Sequence, residues 1–496
     1  MSLSFTLALV ALFTSPPSGP HDTWSRFRGP NGAGLASGVR LPDALYPEKN
    51  LLWSADLPPG HSSPCLTDER VFVTGASGKE LATLCLERAS GKVLWTRALA
   101  VETLENAREG NGPASPTPAT DGEHVIAYFG SFGLVGYDLA GKELWRRALP
   151  IPKNTFGTAA SPVVVGGKLI FLADAEEGSC LEAIEPKSGK TLWRHERKRF
   201  KSGWSTPGVW TRDGPSGEKI EELLVLGVGW LTAHDLADGS ERWSYPGLTD
   251  EPITTPIAGE GLVFATSYNL RTNSEAMLLW DWEKVLVEHD HDGDGMLDRK
   301  ELFENKSVLS RPDADGEGDH PLSIFQGFLD VDKDGRITAK EYEKLEGWVN
   351  SWEHLNGIVA LRPPAGEHGT ELAWHYPRGV PECPSPLYLD GRVYMVMNGG
   401  TVTCLDAKTG TLVFQERLPA RGPYYASLVG GDGKLYAASA RGEVTVFAAA
   451  DTLRVLSSAD LGERLMATPA LSDGVVYVRT ETRLRAFGGA LTGSAR

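Results

Sequence analysis

Cysteine is scarce in this sequence, which has only five in 496 residues, an odd number. Cys65 and Cys85 fall on the first and third strands of one predicted repeat, and Cys383 and Cys404 take the same places in another. Strands two spacings apart are separated by roughly 10 Å, which is beyond the reach of a disulfide. We therefore expect buried thiols and no disulfide framework.

Positive charge is also in short supply. Lysine and arginine number 49 against 65 aspartate and glutamate, so the formal net charge is −16. Nucleic-acid binding needs a basic face that contacts phosphates, and this balance argues against that class of protein. The acid is concentrated, because residues 281–350 hold 19 acidic and 9 basic residues, a charge of −10 that leaves −6 for the rest of the chain.

The N-terminal apolar run, Leu3 to Phe13, is too short to cross a membrane comfortably. A polar segment with prolines follows it, so residues 1–20 are predicted to be a secretory signal peptide. No cysteine lies near a plausible cleavage site, which argues against a lipid anchor on an N-terminal cysteine. We expect an exported protein of the periplasm or cell envelope that does not span the membrane.

Familiar catalytic motifs are missing as well. The sequence has no Gly-x-Ser-x-Gly, no His-Glu-x-x-His and no phosphate-binding loop, and its 11 histidines are scattered. We predict no catalytic residue from these patterns. They favour a non-enzymatic protein without deciding the question.

What the sequence does contain, many times over, is a short turn followed by an aromatic strand. In Ser90–Trp95, Gly91 supplies the positive-φ position of a tight hairpin, and Trp95 must be buried against a neighbour. Related stretches return at 140–145, 188–193, 238–243 and 409–414. The tryptophans expected to dock neighbouring repeats are Trp53, Trp95, Trp145, Trp193, Trp243 and Trp374.

Each repeat opens with a serine or threonine, usually before a proline, at the start of a strand. We call these eight positions the blade-start residues: Ser63, Thr117, Ser161, Thr206, Thr255, Ser385, Ser427 and Thr468. We measure the spacing of the repeats from the proline that follows each blade-start residue, and from Ser427 itself where no proline follows. The successive intervals are 54, 44, 45, 49, 130, 41 and 42 residues. All but one interval is near the length of a four-stranded propeller blade.

The last repeat has no aromatic strand of its own, whereas residues 51–57 offer a spare one. Joining the two closes a ring and removes exposed sheet edges. The sequence therefore predicts an all-β fold, an eight-bladed β-propeller whose eighth blade comes from both ends of the chain.

Residues 405–410, Leu-Asp-Ala-Lys-Thr-Gly before an aromatic, resemble the blade signature of the PQQ-like eight-bladed propeller family, and the resemblance covers most of 51–487. The Gly/Pro-rich arm at 21–50, with no strand or helix period in Trp24 to Gly34, resembles the start of exported bacterial members. In related quinoprotein dehydrogenases the propeller centre holds pyrroloquinoline quinone (PQQ) with a calcium ion, a vicinal cysteine pair and a catalytic aspartate. This sequence has no adjacent cysteines and no motif that places the aspartate, so we do not expect bound PQQ.

The 130-residue interval contains two stretches, 290–301 and 330–341, with the spacing of EF-hand calcium loops. Carboxylates fill positions 1, 3, 5 and 12, glycine permits the bend at position 6, and an aliphatic residue stands at position 8. The predicted ligands of the first loop are Asp290, Asp292, Asp294, Met296 through its carbonyl, Asp298 and Glu301. Those of the second are Asp330, Asp332, Asp334, Arg336 through its carbonyl, Thr338 and Glu341.

Helical spacing at 275–288 and 340–352 flanks these loops. Between them, 313–319 resembles a third loop, but Ile324 stands where the closing acid belongs, and we interpret this stretch as a solvated linker. The sequence predicts two calcium ions in a small helical EF-hand pair, with a structural rather than a regulatory role.

Blade-like sequence resumes at 356–361, so the insert, residues 273–354, is predicted to leave blade five between its second and third strands. The propeller then comprises 51–272 and 355–490, and a tail follows at 491–496.

The leading hypothesis is a calcium-binding propeller of the cell envelope that acts as a non-enzymatic protein-interaction scaffold for an unknown protein partner. Its architecture resembles the propeller of the outer-membrane-protein assembly machinery. A PQQ-dependent oxidoreductase and a carbohydrate- or polymer-binding propeller are the alternatives. The last would use residues of the channel mouth, although packing between blades and loop capping are the favoured interpretation of these residues: Trp204, Tyr424, Tyr425, Arg421 and Arg378.

Overall fold

The computed structural model describes residues 24–488, apart from 109, 215–216, 270–277, 280, 303–306, 311–319, 322–328, 331, 351–354 and 365–368. The predicted signal peptide at 1–20 and the predicted tail at 491–496 lie outside the described residues. The described strands form eight four-stranded sheets and one small three-stranded sheet. The eight-bladed β-propeller predicted from the repeats is thereby confirmed.

The first strand of the chain, β1 (Leu51–Asp56), belongs to the last blade. The strands are given for each blade from the channel outward. Blade one contains β2 (Cys65–Leu66), β3 (Arg70–Ser77), β4 (Glu80–Glu87) and β5 (Val93–Ala100), and blade two contains β6 (Ala119–Thr120), β7 (His124–Phe129), β8 (Gly133–Asp138) and β9 (Glu143–Ala148). Blade three contains β10 (Val163–Val165), β11 (Lys168–Ala173), β12 (Cys180–Ile184) and β13 (Thr191–Glu196), and blade four contains β14 (Gly208–Asp213), β15 (Lys219–Gly227), β16 (Trp230–Asp235) and β17 (Glu241–Pro246).

Blade five contains β18 (Ile257–Gly259) and β19 (Leu262–Ser267), and the insert that follows contains β20 (Leu278–Leu279), β21 (Ser307–Ser310) and β22 (His320–Pro321). Blade five is completed by β23 (Gly357–Arg362) and β24 (Glu371–Tyr376). Blade six contains β25 (Leu387–Leu389), β26 (Arg392–Val396), β27 (Thr401–Asp406) and β28 (Leu412–Arg417), and blade seven contains β29 (Val429–Gly431), β30 (Lys434–Ala438), β31 (Glu443–Ala448) and β32 (Val455–Asp460). Blade eight contains β33 (Ala470–Ser472), β34 (Val475–Arg479) and β35 (Arg483–Gly488) together with β1.

The ring closes through blade eight. Its first three strands come from the C-terminal end of the described chain, and β1 pairs antiparallel with β35, with Trp53 opposite Ala486. The first strands of neighbouring blades contact each other and surround a central channel. Both ends of the propeller sequence are therefore held in one sheet, as the missing aromatic strand predicted.

Five of the six docking tryptophans, all but Trp243, lie against a turn glycine of the next blade in the described chain. A Cβ added to Gly91 would lie 2.3 Å from the Trp53 ring, and Gly141 and Trp95 repeat the contact in the next pair of blades. The indole N–H of Trp53 also donates to the Arg88 carbonyl at 2.9 Å. The glycine thus serves twice, because it adopts a positive φ of 72° at Gly91 and leaves room for the neighbouring ring.

Burial of these tryptophans follows the prediction in part. Four of the six are buried: Trp53, Trp95, Trp243 and Trp374. Trp145 and Trp193 are only half-buried, although all six stand on the outer strands of their blades. Each nevertheless packs on a turn glycine, Gly189 for Trp145 and Gly239 for Trp193.

The five cysteines all lie within the described residues, and no disulfide joins any two of them. Four of them are buried, and Cys383 is half-buried. Cys65 and Cys85 lie on β2 and β4, the first and third strands of blade one, as expected. Cys383 departs from its expected place, because it stands in the loop before β25 and not on the strand.

The arm from Trp24 runs beneath the first strands of the ring. Its backbone carbonyls accept hydrogen bonds from Leu66 in blade one and Thr120 in blade two. Farther along, Gly34 and Ala36 bond to Gly430 in blade seven. A single extended segment therefore spans the channel from one side to the other, apart from a short 3-10 turn at Pro30–Gly32.

Two arginines fix the middle of this arm. The Arg26 guanidinium donates to the Val164 carbonyl in blade three at 2.9 Å, and the Arg28 guanidinium donates to the Pro386 carbonyl in blade six at 2.7 Å. Both side chains are buried. The residues that contact the arm lie one to three positions after blade-start residues, so the arm covers the end of the channel toward which the first strands run. A short helix, α1 (Pro47–Asn50), then leads into β1.

The insert contains three described helices: α2 (Trp282–His289), α3 (Arg299–Leu302) and α4 (Ala339–Asn350). β19 and β23 are neighbours in blade five, so the insert leaves between the second and third strands of that blade. The prediction of helix over 275–288 was wrong in part, because Leu278–Leu279 forms a strand and the helix begins at Trp282. The reason is a cap: the Asp281 side chain accepts from the Lys284 N–H at 2.8 Å.

Candidate functional site

The blade-start residues form a hydrogen-bonded belt around the channel. The backbone N–H of Ser63 donates to the Thr117 hydroxyl oxygen at 2.9 Å, and Thr117 N–H donates in turn to Ser161 at 2.9 Å. Within the described chain, six of the eight junctions carry this bond, and the other four are Ser161 to Thr206, Thr255 to Ser385, Ser385 to Ser427 and Ser427 to Thr468. From the sequence, these residues were predicted only to mark the start of a strand, and their role in joining the blades was not predicted.

The signal for the belt was present in the sequence. A hydroxyl residue stands at all eight blade starts, including Ser427, where the proline is absent. Proline explains the start of a strand, but only a hydroxyl oxygen accepts the neighbour's N–H. We call this belt the lower tier of the channel wall.

A second ring of residues, the upper tier, lies two positions before each blade-start residue. All eight of its members line a cavity of about 550 Å³ at the centre of the ring. Blades one to three contribute small or polar side chains: His61, Ser115 and Ala159. Blades four to eight contribute larger and mostly apolar ones: Trp204, Ile253, Cys383, Tyr425 and Met466.

The cavity is bounded by the arm on one side and by loops on the other. Phe27 of the arm lines it together with seven of the blade-start residues. Glu382, Asn398 and Arg441 line the opposite end, where Arg441 is exposed. Asn398 and Arg441 lie in the loops between second and third strands of their blades, so the cavity opens on the face from which the insert leaves blade five.

Electrostatically, the cavity is close to neutral. Burial lowers the pKa of His61 to about 4, and Arg479 and Arg464 act in the same direction, so its imidazole is uncharged at neutral pH. Glu382 and Arg441 bring one charge of each sign to the mouth. No other residue of the described lining is ionised at neutral pH.

Of the residues predicted for the channel mouth, Trp204 and Tyr425 line the cavity. Tyr424 does not, because it is buried and its hydroxyl donates to the Ala420 carbonyl at 2.8 Å. Arg421 and Arg378 are also absent from the described lining. The packing interpretation therefore suits Tyr424. Trp204 is also buried, and its indole N–H donates to the Gly157 carbonyl at 2.8 Å, so it packs against a neighbouring blade as well as lining the cavity.

The first acidic loop gathers its predicted ligands on one side. Oxygen atoms of Asp290, Asp292 and Asp294 lie within 4.8 Å of one another. The Gly295 N–H donates to Asp290 at 3.0 Å, and the Met296 N–H donates to Asp294 at 2.9 Å. These bonds turn the backbone around the three carboxylates, as the glycine at position 6 predicted.

The closing acid of this loop is held at its base. The Glu301 carboxylate accepts from the backbone N–H groups of His291 and Asp298, both at 2.8 Å. Its side chain is buried, so it stands at the inner end of the loop rather than in solvent. Asp298 itself, at position 9, accepts from the Lys300 N–H at 2.7 Å.

The second loop repeats this arrangement. Oxygen atoms of Asp330, Asp332 and Asp334 lie within 4.8 Å of one another, and the Arg336 N–H donates to Asp334 at 2.8 Å. The Thr338 N–H donates to the closing Glu341 at 3.0 Å. One oxygen of Asp330, Oδ1, is buried without a hydrogen-bond partner among the described residues.

The two loops are joined back to back. Leu297 and Ile337, the aliphatic residues at position 8, exchange backbone hydrogen bonds of 3.0 and 2.9 Å in a short antiparallel bridge. Both pack into a small core with Val285, Leu302 and Tyr342. The predicted linker at 313–319 lies outside the described residues.

The class of protein defined by these sheets is an eight-bladed β-propeller with a repeated blade. A family model described as outer membrane protein assembly factor BamB matches residues 44–203, 356–452 and 400–495, more than half of the chain. The chain belongs to this family. The matched residues leave out 204–355 and with them the insert.

Solved structures share the fold at low sequence identity. BamB from Moraxella catarrhalis is 12% identical with a TM-score of 0.51, over 89% of this chain and 99% of that one. The quinohemoprotein alcohol dehydrogenase ADHIIG from Pseudomonas putida HK5 is 14% identical with a TM-score of 0.53, over 96% and 81%. The computationally designed Ika8 protein is 11% identical with a TM-score of 0.51, over 88% and 99%.

A comparison with curated proteins found no match. Among the described residues, no helix is long and apolar enough to cross a membrane.

Proposed function

We propose that the chain is an exported, calcium-binding β-propeller that acts as a non-enzymatic protein-interaction scaffold in the cell envelope. Membership of a family named for outer-membrane-protein assembly is the observation that carries the scaffold role. The signal peptide expected at residues 1–20 is consistent with it, although it lies outside the described residues. The protein partner is not identified by any residue of the chain.

The lining of the channel supports a role without PQQ. PQQ carries three carboxylates, and binding it would require several positive charges or a bound cation in the channel. The described lining offers Arg441 alone, opposed by Glu382, and the upper tier holds no charged residue at neutral pH. These residues do not fit the cofactor, so we route no reaction through it.

Calcium binding is proposed for the two acidic loops. Asp290, Asp292 and Asp294 would supply carboxylate oxygens, Met296 its carbonyl, Asp298 a water-mediated contact and Glu301 a bidentate carboxylate. Asp330, Asp332, Asp334, Arg336, Thr338 and Glu341 would do the same in the second loop. The partnerless Asp330 Oδ1 and the bridge between Leu297 and Ile337 support this assignment, because paired EF-hand loops share such a bridge.

A structural role for this calcium is favoured by the core of the insert. Seven buried side chains from both loops and their helices pack together, so ordering one loop orders the other. Oxygen ligands bearing several negative charges repel each other without a cation. We therefore propose that calcium stabilises the insert.

The scaffold role is tested by crosslinking the tagged protein in its native envelope, with and without a calcium chelator, and identifying the crosslinked proteins. We expect a defined protein partner that is recovered repeatedly. Reconstitution with PQQ and Ca²⁺ is the companion assay, since dye reduction by the reconstituted protein would replace the scaffold with an oxidoreductase.

A further inference from the structure

The two tiers of the channel wall differ in a way that packing does not explain. The lower tier is a hydroxyl residue in every blade, and at six of the eight junctions in the described chain that hydroxyl accepts the same bond between blades. The upper tier lies only two residues away on the same eight segments, yet no two of its members are alike. A position that served the ring alone would repeat as the blade-start residues do.

We propose that this cavity is a binding site for a small uncharged molecule with a flat apolar ring beside hydrogen-bonding groups, and that the upper tier sets its specificity.

The cavity has the size and closure of a ligand site. Its volume of about 550 Å³ falls in the range of roughly 300–1,000 Å³ typical of such pockets. The arm covers one end, since it bonds to blades one, two, three, six and seven, and its Phe27 forms part of the floor. A polymer cannot thread through a channel closed in this way, so the ligand is a small molecule or the end of a longer one.

The two sides of the cavity match the two sides of such a ligand. Trp204, Ile253 and Met466 give blades four to eight a largely apolar arc. His61 and Ser115 give blades one and two polar groups, and the Nδ1 atom of His61 is buried with no hydrogen-bond partner among the described residues. That nitrogen is available to a ligand that donates or accepts a hydrogen bond there.

The charge of the cavity selects against ions. The imidazole of His61 is neutral, and the ionised side chains of the described lining, Glu382 and Arg441, lie at the mouth. An anion or cation placed deeper would lose its water without meeting a charged side chain of the described lining, since the Arg479 guanidinium, which acts on His61, donates to the Ser62 and Pro58 carbonyls. This site is independent of the calcium loops and of any protein partner.

Cys383 provides a reporter inside the cavity. It is half-buried on the upper tier, whereas Cys65, Cys85, Cys180 and Cys404 are buried. The experiment follows the rate of alkylation of Cys383 by N-ethylmaleimide, read by peptide mass spectrometry on the full chain. The probes are phenyl β-D-glucopyranoside, which is neutral, and phenyl β-D-glucuronide, which has the same ring and one carboxylate.

We expect the neutral probe to protect Cys383 in a saturable way and the anionic probe to need at least about a tenfold higher concentration. Ala159→Trp fills the cavity and should abolish protection, whereas Ala237→Trp on an exposed turn of blade four should leave it intact. Met466→Arg places a cation in the upper tier and should shift the preference toward the glucuronide, which keeps the test decisive if Ala159→Trp does not fold.

Lack of protection by the neutral probe, equal protection by both probes, or a preference unchanged by Met466→Arg would each overturn the proposal. None of these readouts depends on calcium or on a partner, so their failure is separate from failure of the scaffold role.

Discussion

The ring and the insert reach stability by opposite means. The ring repeats one contact, the tryptophan against the next glycine, at five junctions of the described chain, and the sequence outside residues 281–350 carries a charge of only −6. The insert occurs once, includes residues 281–350 with their charge of −10, and has a core of only a few side chains. Repeated residues in this protein indicate packing, whereas the proposed calcium ligands lie in the insert, where the repetition is interrupted.

The same contrast appears within the channel. The lower tier is constant because it bonds blade to blade, and the upper tier varies because nothing in the ring requires it to be constant. Variation among otherwise equivalent positions is therefore informative in a repeat protein, even with one sequence in hand.

The largest expected effect comes from opening the ring. Replacing residues 51–57 with a Gly/Ser segment of equal length removes β1 from blade eight and Trp53 from Gly91. Loss of a buried tryptophan alone costs about 3–5 kcal/mol, and the strand pairing is lost with it. We expect a lowering of the unfolding free energy of more than about 5 kcal/mol by chemical denaturation. A variant that unfolds like the parent would show that the ring does not depend on closure.

A single methyl group tests the repeated contact. Gly91→Ala puts a Cβ 2.3 Å from the Trp53 ring at a φ of 72°, whereas Gly78→Ala, at a φ of 54°, meets nothing within 4 Å. Both variants carry the strain of a positive φ, about 1 kcal/mol, and only Gly91→Ala adds an overpacking cost of about 1–3 kcal/mol. Equal destabilisation of the two variants in urea denaturation would contradict the docking role of the glycine.

Calcium affinity tests the insert, the other of the two regions compared. Glu301→Gln with Glu341→Gln removes one negative charge and one bidentate ligand from each loop. We expect calorimetry to lose both binding events or to weaken each at least tenfold, about 1.4 kcal/mol per site. Glu343→Gln is the control, because this exposed residue on α4 is not a predicted ligand. Unchanged stoichiometry and affinity in the double variant would refute the ligand assignment.

The smallest structural change is made in the lower tier. Thr117→Val keeps the shape of the side chain but leaves the buried Ser63 N–H without its acceptor, at a cost of about 1–3 kcal/mol. Thr117→Ser retains the hydroxyl and should stay close to the parent. If the two variants melt together, the belt of hydroxyls does not stabilise the ring.

Sequence was sufficient for the ring because its evidence is repeated. The turn at Ser90 to Trp95 is one of several copies, so the number of blades followed from the spacing of the copies. The closure of the ring followed because the last blade lacks an outer strand and residues 51–57 form a strand without a blade of its own. The path of the arm could not be predicted from the sequence. Its contacts to Leu66, Thr120 and Gly430 join residues far apart in the chain through backbone groups, which leave no pattern in the sequence.

The candidate sites divide in the same way. The calcium loops are local, so twelve consecutive residues contain all of the predicted ligands of each loop. The cavity is assembled from eight separate segments, and its upper tier became recognisable only when the structure placed the eight positions at one level. Trp204 and Tyr425 were predicted for the mouth, but His61, Met466 and Phe27 were not, because a single unrepeated side chain carries no spacing signal.

Hydrogen exchange measured by mass spectrometry, in Ca²⁺ and in chelator, tests the contrast between ring and insert most directly. The calcium proposal predicts that chelation accelerates exchange in 281–302 and 332–350 and leaves the strands of blades one to four and six to eight unchanged. Exchange in the insert that is insensitive to chelation, or acceleration around the whole ring, would contradict it.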